Sequence, residues 1–205
     1  MRKKNIVKDY LEPIVIAVLI ALFIRTFVVQ AFKIPSSSME PTLLVGDYIL
    51  VNKFIYGIRI PYTDTKFFQF KKPQRGDVIV FIFPLDPSKD FIKRVIGREG
   101  EKVEIIDKKI YINDRLIDDP WGHFQKKGLA GYLERMENFG PVVVPKDSLF
   151  VLGDNRDNSE DSRFWGFLHV NAVLGKAFII YFSWDWNAEN LFDMVRWSRI
   201  GKLIH

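Results

Sequence analysis

The chain of 205 residues contains no cysteine, which excludes thiol catalysis, Cys-bound zinc and a disulfide scaffold but does not fix the compartment. Histidine is nearly as scarce. His123, His169 and His205 are the only three; none lies in a recognisable setting, and there is no His-Glu-x-x-His zinc motif. They read as surface or structural residues. A calcium loop counted from Asp157 puts Ser162 where glycine is needed and Leu168 where the bidentate glutamate belongs, so calcium fails on spacing. No metal or cofactor is expected. The net charge of +5 is spread out, whereas a nucleic-acid binder gathers basic residues on one face. No repeat, low-complexity tract or flexible linker interrupts the chain.

What is present suits one domain plus an anchor or a small insertion, with 48% apolar residues to build a core. Arg2, Lys3, Lys4 and Lys8 precede an apolar stretch from Pro13 to Phe32, broken by Arg25 and Thr26. Twenty helical residues would measure roughly 30 Å, enough to cross a bilayer core. The charge asymmetry then predicts a cytoplasmic tail over 1–12, a transmembrane helix over 13–32 and an extracytoplasmic domain over 33–205. Two other readings stay open. Ile14–Ile24 is short enough for the core of a cleavable signal with Val29-Gln-Ala31 at its cleavage site, and a buried soluble helix would share the pattern.

Beyond the anchor, short apolar runs separated by turn residues predict a mainly β domain. Strands are expected over 48–53, 77–83, 91–96, 102–106, 142–144, 149–152 and 172–182, with a hairpin over 109–117 turning at Asn113-Asp114. Residues 107–146 read as a variable insertion. Within it, 120–140 has the weakest pattern and reads as a surface segment, in part helical.

The densest chemistry lies in Lys33-Ile-Pro-Ser-Ser-Ser-Met-Glu-Pro-Thr-Leu-Leu-Val-Gly-Asp47. A serine hydroxyl needs a base to become a nucleophile, usually histidine, otherwise an unprotonated lysine. If the helix ends near Phe32, Ser38 lies within about 20 Å of it. The lysine candidate is Lys93, which period-two alternation places on one strand face with Phe91 and Val95. Burial there would lower its pKa; an edge lysine reaching solvent is the alternative. A second stretch, Leu152-Gly-Asp-Asn-Arg-Asp-Asn-Ser-Glu-Asp-Ser-Arg-Phe-Trp-Gly166, reads as a loop satisfied by its own side chains and able to position a catalytic group.

Together these segments, with Arg75-Gly-Asp-Val-Ile-Val80, Lys93-Arg94, Gly97 and Ser198-Arg-Ile-Gly201, resemble the type I signal peptidases, or leader peptidases. These are bacterial membrane-bound Ser/Lys endopeptidases. The resemblance covers most of the chain from the anchor onward and is weakest over 107–146. It implies a coiled, barrel-like β-sheet catalytic domain on one transmembrane helix in the bacterial plasma membrane. Ser38 would be the nucleophile and Lys93 the general base. Ser36 would donate to the oxyanion, Ser159 would hold the Lys93 amine in line, and Asp161 with Arg163 would brace that loop. Phe32, Ile34, Met39, Leu43, Phe91 and Ile92 match positions lining small pockets, although ordinary core packing explains several of them equally well. Preproteins would be cut after a small-x-small motif, bound as an added strand. Trp184, Trp186 and Trp197 read either as an aromatic surface meeting lipid headgroups or, equally, as core residues. Glu99 and Glu101 stand where the family commonly has proline and aspartate. A maturation peptidase dedicated to one secretion system, or an inactive peptide-binding module, are the other readings. A self-cleaving repressor would need a DNA-binding domain where this chain has its apolar stretch.

Overall fold

Beyond the helix, alternating apolar residues draw the regular elements mainly into antiparallel strands. A computed structural model describes residues 10–59, 66–67, 70–124, 137–190 and 193–205. Helix α1 (Glu12–Phe27) is followed by β1 (Val29–Lys33), β2 (Asp47–Asn52), β3 (Ile58–Arg59), β4 (Lys66–Phe67), β5 (Val78–Ile82) and β6 (Asp90–Arg98). Then come β7 (Lys102–Ile106), β8 (Lys109–Ile112), β9 (Arg115–Leu116), β10 (Phe139–Val143) and β11 (Ser148–Leu152). A one-turn helix α2 (Ser162–Trp165), β12 (Leu168–His169) and β13 (Val173–Ser183) complete the elements used below. The main sheet has seven strands in the order β1-β2-β13-β5-β6-β11-β12; a second sheet has the order β10-β7-β8-β9, and β3 pairs with β4.

The expected hairpin forms, with Asn113 and Asp114 both at positive φ (51° and 64°), as a tight two-residue turn between right-twisted strands requires. Its strands belong to the smaller sheet, which is joined to the larger one by a buried cluster including Ile96, Val103, Ile110 and Phe150. The part-helical reading of 120–140 falls mostly on 125–136, outside the described residues.

The apolar stretch departs from expectation. The helix expected over 13–32 stops at Phe27, capped by Val28 N–H on the Ile24 carbonyl at 2.9 Å. Residues 29–33 instead pair in register with 48–52 of β2. Val28 and Val29 are β-branched and favour the pleated surface, and the partner strand satisfies their backbone. Among the described residues no helix is both long and apolar enough to cross a membrane. The chain from Phe27 to Ser38 spans at most about 40 Å, so the tighter 20 Å limit does not hold.

β6 is central. β5 lies on one side and β11 on the other, and residues 92–97 are buried on both faces. β11 reaches only as far as Arg94, so 90–93 pair with β5 alone and leave a free edge. Close strand contact also explains Gly175 in β13: a Cβ there would lie 2.4 Å from the Asn52 carbonyl oxygen and 2.8 Å from Val51 Cγ1. Gly175→Ala is expected to lower the unfolding free energy by about 1–3 kcal/mol, read as a lower midpoint in denaturant.

Candidate active site

The serine segment leaves β1 and returns to β2 as a loop closed at its base. Ile34 N–H donates to the Asp47 carbonyl at 2.8 Å and Gly46 N–H to the Ile34 carbonyl at 3.0 Å. Ser38 sits in the turn between them and is 8% exposed. Its hydroxyl meets the amine of Lys93: Ser38 Oγ and Lys93 Nζ are 2.8 Å apart, joined across 55 residues of sequence. Lys93 is 3% exposed, and its Nζ stands 5.4 Å from the centre of the Phe91 ring. Burial pushes its pKa down from 10.5 to about 8, against the upward pull of the Asp161, Glu160 and Asp154 carboxylates. The edge-lysine reading is therefore set aside. Ser36 Oγ lies 3.5 Å from Ser38 Oγ.

The 153–166 loop holds this pair from behind. Asn155 N–H donates to the Ser38 carbonyl at 3.1 Å, Asn155 Nδ2 to the Ser37 carbonyl at 3.1 Å, and Asn158 Nδ2 to Ser37 Oγ at 2.7 Å. Two enclosed ion pairs stiffen it. Arg163 forks onto Asp161 at 2.9 and 2.8 Å, with both side chains fully buried. Burial alone would raise the Asp161 pKa; the Arg163 guanidinium and the Gly153 N–H hold it below the usual carboxylate range. Arg94 forks onto Asp154 at 2.8 and 2.6 Å, and Thr42 Oγ1 donates to the same carboxylate at 2.6 Å.

A nucleophile-and-amine pair of this geometry can support acyl transfer. The model of the family described as "Signal peptidase, peptidase S26" matches residues 7–184 of this chain. The chain belongs to this family. A signal peptidase I of Pseudomonas aeruginosa is 36% identical, with 100% of this chain and 82% of the relative covered. One from Aquifex aeolicus is also 36% identical, over 88% of this chain and 84% of the relative. A probable signal peptidase I-2 of Synechocystis is 38% identical over 82% and 70%. The protein is thus a type I signal peptidase, an enzyme of signal-peptide cleavage.

Other expected residues of this signal peptidase fall unevenly around the pair. Ser159 is 1% exposed, and its hydroxyl meets no partner at hydrogen-bonding geometry, Lys93 included. It packs against Gly153, where a Cβ would come 2.2 Å from Ser159 Oγ and 2.5 Å from the Ser38 carbonyl oxygen. Only glycine allows the two loops to approach this closely. Met39 and Leu43 are wholly enclosed in a core cluster with Ile34 and Ile92, so they offer no open surface to a peptide; Phe32 packs on that cluster half-buried. Phe91 stacks on Phe83 at 4.1 Å between centroids.

Sequence reading missed the Arg94, Thr42 and Asp154 group. It also missed Arg156, which grips Asp119 in a bidentate pair and donates to the Gly153 carbonyl at 3.0 Å. Arg94 is legible in the sequence only as the neighbour of Lys93, and the central position of β6 buries it.

Asp154→Ala leaves the Arg94 guanidinium unpaired in the interior and is expected to lose about 3–5 kcal/mol of stability, measurable by chemical denaturation. The lowered Lys93 pKa has the opposite consequence. The unfolded amine keeps its proton up to about 10.5 and the folded one only to about 8, so stability rises with pH through that window. Lys93→Met is accordingly expected to gain up to about 3 kcal/mol at pH 7 and nothing above pH 11, read from thermal unfolding at both pH values.

Proposed function

We propose that this signal peptidase cleaves preproteins through Ser38 as nucleophile and Lys93 as general base. The observation that carries the reading is the 2.8 Å contact between the Ser38 hydroxyl and a buried amine. In the neutral form the Lys93 lone pair accepts the hydroxyl proton as Ser38 Oγ attacks the scissile carbonyl. Ser36 Oγ–H and Ser38 N–H are the donors for the resulting oxyanion, and preorganised donors of this kind are each worth about 10²–10³ in rate. The Lys93 ammonium then returns its proton to the departing amine, leaving an ester on Ser38. Deprotonated again, Lys93 activates the water that hydrolyses this ester. Asp161 and Arg163 brace the loop that holds Ser38 against the amine.

The substrate segment binds as an added strand, a reading supported by the free edge at 90–93 and by the position of β1 at the end of its sheet. Phe32 and Phe91 form the accessible walls, backed from the enclosed core by Ile34, Met39, Leu43 and Ile92, which do not themselves touch the peptide. So confined a site favours small residues at the first and third positions before the bond.

Attachment to the extracytoplasmic face of the bacterial plasma membrane, with the N-terminus cytoplasmic, completes the proposal. Its support is the run of exposed apolar side chains along α1, such as Leu19 at 61% and Leu22 at 52%, with Trp186 at 63% and Trp197 at 72% as candidates for headgroup contact.

Purified full-length protein in lipid should cleave a preprotein after a small-x-small motif. Its kcat/KM should climb with pH to a plateau above about 8, because the uncharged amine is the active form. Ser38→Ala, Lys93→Ala and Lys93→Arg should each abolish cleavage, the last because guanidinium keeps its proton at these pH values. Turnover retained by either lysine variant would remove Lys93 from the mechanism.

A further inference from the structure

The nucleophile loop is gripped from a part of the chain that the catalytic roles above leave unused. After β13, residues 195–205 fold back along the sheet. Gly201 N–H donates to the Ile180 carbonyl at 2.8 Å, Ile180 N–H to the Lys202 carbonyl at 3.0 Å and Ile204 N–H to the Phe178 carbonyl at 3.0 Å. Ile204 is buried in the same core cluster as Met39 and Leu43. From this strap Arg199 reaches into the loop. Its Nε and Nη2 donate to the Asp47 carboxylate at 2.9 and 2.5 Å, and Nη2 also donates to the Thr42 carbonyl at 2.9 Å. Asp47 is fully buried. The same carboxylate accepts from Leu44 N–H at 2.8 Å and from Ser183 Oγ at 2.6 Å.

Thr42 is therefore held from two directions. Arg199 takes its carbonyl, and Asp154 takes its hydroxyl. Asp154 is paired with Arg94, the residue after the base, and Arg94 Nη1 donates to the main-chain oxygen of His205 at 2.7 Å. One strap thus touches the serine side through Arg199 and the lysine side through His205.

We propose that Arg199 is a positioning residue for the nucleophile: by bridging Asp47 and Thr42 it fixes the turn that sets the Ser38 hydroxyl against Lys93. A planar fork with several donors suits this task, and a point-charge ammonium cannot serve both acceptors in the same way. Arg199 itself touches neither Ser38 nor Lys93. Losing it lets the turn relax at unchanged chemistry, so the effect belongs in kcat. The inference rests on Ser38 and Lys93 as the reacting pair.

The test compares wild type, Arg199→Ala, Arg199→Lys and Ser38→Ala, all full-length and in the same lipid, for kcat and KM on a preprotein. A misplacement of the order of 1 Å costs about 10²-fold, so Arg199→Ala should lose about 10–100-fold in kcat while KM moves less than about threefold. Arg199→Lys should fall between it and wild type. Dilute guanidinium chloride should restore part of the rate to Arg199→Ala and none to Ser38→Ala. A folded Arg199→Ala protein with wild-type kcat, or one whose loss lies wholly in KM, overturns the inference. Should Arg199→Ala fail to fold, Asp47→Asn and Arg199→Lys carry the same expectation, and wild-type kcat in both overturns it. If Ser38→Ala retains turnover, the assignment of the reacting pair has failed; if it is inert while Arg199→Ala is unimpaired, only the role of Arg199 has.

Discussion

An ammonium group enclosed to 3% exposure loses the water that normally holds its charge, and the surroundings of Lys93 follow from managing that loss. Carboxylates close enough to recover the charge would undo it, since Asp161, Glu160 and Asp154 each pull the pKa back up. Two of these three are spent elsewhere. Asp161 is occupied by Arg163 and Asp154 by Arg94. Pairing each acid with its own guanidinium leaves the interior rigid and polar while burial still brings the Lys93 pKa down to about 8. The buried ion pairs thus matter less as sources of stability, which such pairs seldom supply on balance, than as a way of keeping negative charge away from the base.

The serine follows β1 at the edge of the main sheet, and the lysine lies on β6, four strands away in its order. Nothing in either strand fixes the distance between them. The 153–166 loop does so by bonding to Ser37 and Ser38 on one side and carrying Asp154 to Arg94 on the other. Gly153 makes the approach possible, being the one residue whose missing side chain leaves room for both Ser159 and the Ser38 backbone.

Much of this was legible beforehand because it is local. Strand periodicity located β5, β6, β7 and β11 to within a few residues, and Asn113-Asp114 announced its turn. Serine, lysine and the Gly-Asp-Asn-Arg loop stood out as residue types in unusual company. Failures came where distant contacts decide. β1 was read as the end of a helix because Val29–Phe32 is apolar enough for either state, and only pairing with β2 selects the strand. The pairs of Arg94 with Asp154 and of Arg199 with Asp47 join residues 60 and 152 positions apart, and no short-range pattern announces such partners. The empty hydrogen-bonding surroundings of Ser159 were equally hidden, since they depend on backbone placement rather than on residue type.

Strand β1 also changes how the apolar helix can influence catalysis. Had the serine segment followed the helix directly, it would have hung on a leash whose slack blurred the height of the reactive atom. Five residues in register with β2 replace that leash by a bracket of fixed length. A shift of the helix along its own axis must then drag the sheet with it, so the height at which the peptide bond is presented becomes a property of the whole domain.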